Sequence, residues 1–237
     1  MAGARRPVRS DLASRAETRS VSYLAVEGPP GSGKTVLASR LARRLGARLV
    51  TDRTFENPFL EDFYRDPERN ALKTQLFFTM SRWLQQREMA QLDLFHSAIV
   101  SDYLFVKDRI HASVCLDDRE LALYERLVGM MGAEPPRPDL VVYLQSDADG
   151  LVAGIRRAGR SGDRRLSREY LVAVMEAYNY YFLHYGEAPL LVVDTRRADP
   201  AADQAAFRLL LRELERPHTG MRWLSPAPDY RTGPGDD

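Results

Sequence analysis

Cysteine is nearly absent from this 237-residue chain. Cys115 stands alone, so no intrachain disulfide can form and no set of thiolates can hold zinc, which points to a reducing compartment and a cytoplasmic location. No apolar run approaches the roughly 20 residues that span a bilayer, and residues 1–20 lack an apolar signal-peptide core, so neither a membrane helix nor a secretory signal is expected. A dominant charge is missing too. Thirty-four Lys plus Arg face thirty-three Asp plus Glu, and a formal net charge of +1 gives no global field that would recruit nucleic acid or an anionic membrane. No pair among the four histidines has metal-ligand spacing, and His96, His184 and His218 read as structural or exposed. Lysine is scarce: Lys34, Lys73 and Lys107 stand beside thirty-one arginines, which makes each one worth examining. What is there, 44% hydrophobic and 28% charged residues, suits one ordinary α/β or α+β domain.

Residues 1–20 carry five arginines and almost no large apolar side chains, so a loose leader is expected there. Residues 217–237 are rich in Pro, Gly and Asp and read as a mostly disordered tail, with Met221, Trp223 and Leu224 as its docking candidates. Between them, residues 21–216 read as one domain. Apolar runs at 23–27, 47–51, 97–103, 139–145 and 189–195 alternate with helical patterns at 33–45, 67–94, 117–132, 146–158, 167–185 and 201–215. This rhythm predicts a five-stranded parallel sheet flanked by helices on both faces. In the long 67–94 helix, Leu72, Leu76, Met80, Trp83 and Leu84 recur at three- and four-residue spacing, a stripe expected to face the sheet.

Directly after the first strand comes GPPGSGKT, Gly28 to Thr35, which satisfies G-x-x-x-x-G-K-[ST] in the strand-to-helix context that the motif requires. Gly28, Gly31 and Gly33, with Ser32, let backbone N–H groups turn inward around phosphate oxygens, and the following helix adds its positive end. Lys34 is placed to reach the outer phosphates, and the Thr35 hydroxyl to meet Mg²⁺, which takes its other ligands from phosphates, water and carboxylates. The fold class is therefore an α/β P-loop NTPase that binds ATP or a related triphosphate with Mg²⁺. No N-K-x-D guanine reader is present, and no apolar strand ends in Asp-Glu, so GTPases and motor ATPases are disfavoured. A small phosphotransferase remains.

Beyond the P-loop, TFENPFLEDFYRDPERNALKTQLFFTMSRWLQQ (54–86) and VSDYLFVKDRIHAS (100–113) resemble the deoxynucleoside kinases, in particular their bacterial deoxyadenosine and deoxyguanosine branch. The resemblance spans about residues 22–195. It implies transfer of the γ-phosphate of ATP or another triphosphate to the 5′-hydroxyl of a deoxynucleoside, a purine one for this branch, by an enzyme that commonly dimerises. The face around Trp83–Leu94 is where a homodimer contact would fall. Rival readings are a thymidylate or other nucleoside-monophosphate kinase, and a nucleotide-binding regulator with weakened catalysis.

Carried over by position, the resemblance puts Gln75 and Arg82 on the base edge, seven residues and thus two helical turns apart. Asp108 matches a third base contact, and His111 the stacking aromatic. Tyr64 and Asp163 match the residues that share the 3′-hydroxyl, although Tyr64 alone would read as packing and Asp163 as a surface acid. The catalytic base maps to Asp52, five residues before Asn57, with Glu56 as the competing carboxylate. Asp102 matches an acid that holds Mg²⁺ through water. In better-known members an arginine follows that acid and steadies the 5′-oxygen, whereas here Tyr103 follows; Lys107 reads as a solvated cation, with a charge supplied near the reaction centre as the alternative. GIRRAGRSGDRR (154–165) falls at the family's arginine-rich lid: Arg160 matches one lid arginine, Gly154 and Ala158 replace two others, and Arg156 and Arg157 are the stand-ins.

Overall fold

The structure, a computed structural model, describes residues 21–89, 97–132, 136–159, 163–217 and 219–226. Its strands are β1 (Tyr23–Glu27), β2 (Arg48–Val50), β3 (Ile99–Ser101), β4 (Leu140–Gln145), β5 (Leu190–Asp194) and β6 (Met221–Leu224). Its helices are α1 (Lys34–Leu45), α2 (Leu60–Arg65), α3 (Pro67–Met89), α4 (Lys107–Cys115), α5 (Asp118–Met130), α6 (Ala148–Ala158), α7 (Arg168–Leu183) and α8 (Gln204–Leu214). Asp117, Asp147, Ser167 and Asp203 cap α5, α6, α7 and α8 by accepting from first-turn N–H groups, the usual chemistry of a helix start. None of the described helices is long and apolar enough to cross a membrane.

The sheet is parallel throughout, in the order β2-β3-β1-β4-β5-β6. It has one strand more than the sequence led us to expect. Met221 to Leu224 pair with β5 in the register Leu190↔Met221, so the apolar residues of the supposed tail close the sheet edge, although Trp223 stays exposed. Four residues between a positive-φ Gly220 and a Ser-Pro pair are too few to show a period. The leader lies outside the described residues, as does the tail beyond residue 226.

Alternation along β1 sends Leu24 and Val26 to one side, against Leu37 and Leu41 of α1 and Phe207 and Leu210 of α8. Tyr23 and Ala25 face the other side, with Ile110 of α4 and Val174, Tyr178 and Phe182 of α7. A third cluster, Phe63, Ala71, Ala112, Leu116 and Tyr124, binds α2, α3, α4 and α5 together.

Helix α3 corrects the sequence reading. Its buried residues are mostly polar, Asn70, Thr74, Gln75, Thr79, Arg82, Gln85 and Gln86, whereas Met80 and Leu84 are 57% and 53% exposed. Several of these inward positions meet partners that only the fold provides. Asn57 donates to the Thr74 carbonyl at 3.0 Å, Thr79 Oγ1 and the Tyr124 hydroxyl lie 2.8 Å apart, and Gln85 donates to the Thr51 carbonyl at 2.8 Å. Of the apolar stripe, Leu72 and Leu76 pack against the cluster formed by α2, α4 and α5, and Met80 and Leu84 are left facing out.

Candidate active site

The strand order reverses at β1, with β3 on one side and β4 on the other, and the loop leaving β1 opens at the carboxyl edge beside that switch. Gly31 and Gly33 have φ of 87° and 83°, a left-handed backbone that a side chain would strain. Gly31 is also hemmed in by α6: a Cβ on it would stand 2.2 Å from the Leu151 carbonyl, and a Cβ on Gly154 would stand 1.9 Å from the Gly31 carbonyl. Loop and helix meet backbone to backbone. A side chain at 154 could not fit without displacing the loop. The Ser32 hydroxyl is buried without a partner, an orphan donor inside the loop that suits an incoming phosphate oxygen.

Around the loop is a cavity of about 310 Å³ lined by Gly31, Gly33, Lys34, Thr35, Lys107 and Arg157, among others. Arg157 also approaches Asp199 at 3.8 Å. Arg156 is exposed and not among the lining residues, so of the two proposed stand-ins only Arg157 reaches the cavity. Arg160 lies outside the described residues, and Asp163 opens a short 3₁₀ turn, Asp163–Arg165. A larger cavity, about 600 Å³, is bounded by Leu104, Tyr124, Val128 and Tyr185 and includes none of the phosphate-loop residues.

The β2 and β3 exits deliver two carboxylates to the same edge. Asp52 donates its N–H to Asp102 Oδ1 at 2.7 Å, which ties the two exits together. The Asp52 side chain receives Arg82 through Nε at 3.2 Å and Nη2 at 2.8 Å, and Lys107 Nζ at 2.7 Å. Arg82 holds Asp108 through its remaining Nη1. All four are nearly inaccessible, with side-chain exposures of 8% for Asp52, 4% for Arg82, 2% for Asp108 and 11% for Lys107. Burial pushes the Asp52 carboxyl up, but Lys107 and Arg82 outweigh it and hold the group well below the usual carboxylate range. Glu56, the competing carboxylate, is exposed and sits 3.9 Å from Arg53 on the surface.

Helices α3 and α4 run antiparallel here, joined by two rungs. Arg82 meets Asp108 at one, and the Gln75 amide lies 3.8 Å from Cys115 Sγ at the other, so the rungs are seven residues and about 10.5 Å apart on both helices. His111 lies between them on α4, its ring nitrogens 3.2 Å from the Tyr170 hydroxyl and 3.5 Å from the Tyr178 hydroxyl. Burial, followed by the charges of Lys107, Arg82 and Lys34, holds His111 well below its ordinary pKa, so the ring is neutral. Tyr64 packs at the edge of this region in the cluster that holds Phe63, Leu76 and Tyr170. The Asp108 Oδ2 atom is buried with no partner, an acceptor left open beside the rungs.

Three residues hold places in the site that their local sequence does not announce. Lys107 is not a solvated cation: it opens α4 and turns into the site. Glu27 is fully buried and accepts from Gly28 N–H at 2.7 Å and Leu104 N–H at 3.0 Å, joining the phosphate loop to the β3 exit. Its signal was an acid closing a strand otherwise made of apolar residues. Tyr103 is fully buried and donates to Gln85 Oε1 at 2.8 Å, while Gln85 braces the end of β2.

Comparison with known proteins gives consistent findings. The deoxynucleoside kinase family model matches residues 24–216. A deoxyguanosine kinase of Bacillus subtilis is 26% identical over 179 residues, covering 75% of this chain and 86% of that protein. A deoxyadenosine kinase of Lactobacillus acidophilus is 24% identical over 212 residues, covering 82% and 95%. Among solved structures, a deoxyadenosine kinase of M. mycoides with bound dATP superposes with a TM-score of 0.71 at 22% identity, covering 82% of this chain and all of that one. At that identity the likeness speaks for the fold.

Proposed function

The chain belongs to the deoxynucleoside kinase family, and from that premise we propose that it transfers the γ-phosphate of ATP to the 5′-hydroxyl of a purine deoxynucleoside. The observation that carries the reading is a buried, ionised Asp52 held by Arg82 and Lys107 beside the phosphate-loop cavity. In the transfer, the 5′-oxygen attacks the γ-phosphorus and its proton passes to an Asp52 carboxylate oxygen. The bond to the bridging oxygen breaks, and its electron pair leaves with ADP. Lys34, with Arg157 from the last turn of α6 and, by the family resemblance, Arg160, counters the charge spreading over the γ-oxygens. Thr35 and Asp102 are hard oxygen donors suited to Mg²⁺, which would neutralise the outer phosphates when bound. Among the described residues no three His, Cys, Asp or Glu gather into a metal site, so the ion would draw most of its ligands from phosphate and water.

Gln75, Arg82, Asp108 and His111 read the base in this proposal, and Tyr64 with Asp163 holds the 3′-hydroxyl. Asp108 Oδ2 supplies an open acceptor for an exocyclic amine, while Gln75 supplies both donor and acceptor. Purine preference is supported by the named activities of the bacterial relatives. A nucleoside-monophosphate kinase would need a free cation for the acceptor phosphate, and Arg82 is already engaged by two carboxylates. A cytoplasmic setting, reducing and supplied with ATP, suits a chain whose one thiol is free. Exposed Met80 and Leu84 on α3 support a homodimer. The test is incubation with MgATP and each deoxynucleoside in turn, followed by detection of the 5′-monophosphate. Deoxyadenosine or deoxyguanosine should lead the ranking; thymidine in first place would sink the purine assignment.

A further inference from the structure

The reaction centre has a missing charge and a lysine in an unexpected place. The residue after the β3 acid is Tyr103, whose ring is fully buried and whose hydroxyl is committed to Gln85, so nothing at 103 can present a cation to the acceptor oxygen. Arg82 is engaged on three nitrogens by Asp52 and Asp108 and has none of its charge to spare. Lys107, four residues further on, is the first residue of α4 and reaches back to Asp52 Oδ2 at 2.7 Å while also lining the phosphate-loop cavity with Lys34, Thr35 and Arg157.

We propose that Lys107 is a catalytic residue, the cation that positions the Asp52 base and the attacking 5′-oxygen and stabilises the transferring phosphoryl group, in place of a charge at position 103. This rests on the kinase reading above. An ammonium carries three donors. One is directed at Asp52, and the side chain lies in the wall of the cavity where the γ-phosphate of a nucleotide on the loop would stand. As the 5′-oxygen bonds to phosphorus, its proton goes to Asp52 and the bridging oxygen departs with its electron pair. Negative charge builds meanwhile on the equatorial oxygens, between Lys34 and Lys107. The two ammoniums sense each other across that gap: the Lys34 pKa is pushed down to about 8, first by burial and then by Lys107, with Glu27, Asp102 and Asp52 pulling it back.

The experiment compares wild type, Lys107→Met and Lys107→Arg by steady-state kinetics, thermal melting and calorimetric binding of the MgATP analogue AMP-PNP. Removing a donor aimed at transition-state charge typically lowers kcat by about 10²- to 10³-fold. Lys107→Met should lose about that much while KM for both substrates and AMP-PNP affinity stay within about threefold, because the contact strengthens only as charge develops. Lys107→Arg should recover kcat to within about tenfold of wild type. Turnover of a folded Lys107→Met within threefold of wild type would overturn the proposal, as would a folded Lys107→Arg no faster than the Met variant. If Lys107→Met does not fold, D52N/K107M, which leaves no buried carboxylate short of a partner, is compared with D52N. A further tenfold fall supports a direct role, and equal rates overturn it. A wild-type protein inert toward every deoxynucleoside refutes the kinase reading; an active wild type beside an unaffected Lys107 variant refutes this inference alone.

Discussion

Asp52 is a carboxylate in a place where carboxylates are costly, only 8% exposed, and it is tolerated because two cations face it at hydrogen-bonding distance. Its ionisation makes it a proton acceptor at any working pH. Asp52→Asn should lower kcat by about 10²- to 10⁴-fold with little change in AMP-PNP affinity, whereas Glu56→Gln should be kinetically silent, since Glu56 sits exposed beside Arg53. Steady-state rates of both variants decide it, and a collapse of the Glu56 variant alone would move the base there. His111 makes a prediction about stability. Its native pKa lies well below that of an unfolded histidine, so at pH below about 6.5 the unfolded chain binds a proton that the native ring refuses. Stability is therefore present above that pH and lost as pH falls, by about 1.4 kcal/mol per unit from this ring. Urea unfolding of wild type and His111→Gln between about pH 7 and 5 should show a shallower slope for the variant. Parallel slopes would mean that the ring titrates normally.

At the scale of elements, the contact between the phosphate loop and α6 is the tightest in the site. Gly31 and Gly154 exclude a Cβ from each other, so the loop has no room to retreat. Gly154→Ala should push the Gly31 carbonyl outward, lower stability by about 1–3 kcal/mol, the usual cost of overpacking, and weaken AMP-PNP binding. Gly129, a helical glycine of α5 at which a Cβ would meet nothing within 4 Å, is the control: its alanine variant should be neutral or stabilising by up to about 1 kcal/mol. Chemical denaturation of both variants, with calorimetry on the first, checks this. Helix α3 was misjudged at the same scale. Its apolar spacing was legible in Leu72, Leu76, Met80 and Leu84, but spacing says only that a helix has two faces, not which neighbour each will meet. With Thr79 paired to Tyr124 and Gln85 to Tyr103, the polar face turned inward, and Met80 and Leu84 were left outside.

For the whole molecule, that inversion has a consequence in solution. Exposed Met80 and Leu84 on α3, with exposed Leu123, Leu127 and Met130 on the neighbouring α5, leave two apolar stripes uncovered on one chain. Light scattering after size exclusion should give twice the chain mass of 26.9 kDa, and Leu84→Glu should return it to one chain. A wild-type mass of one chain would sink the homodimer. The alternation of strands and helices and the phosphate loop were determined by sequence alone, because a period of apolar residues and the placement of Gly28, Gly31, Gly33 and Lys34 are local instructions that the backbone follows wherever it lies. Only the tertiary structure decided that Lys107 meets Asp52 across 55 residues of chain and that Gly154 rests on Gly31. It also decided that Tyr103 is core and that Met221–Leu224 close the sheet edge. A charge on a short, mixed helix start carries no sign of its direction. Its place is chosen when distant segments pack and each buried donor or acceptor must find its partner there.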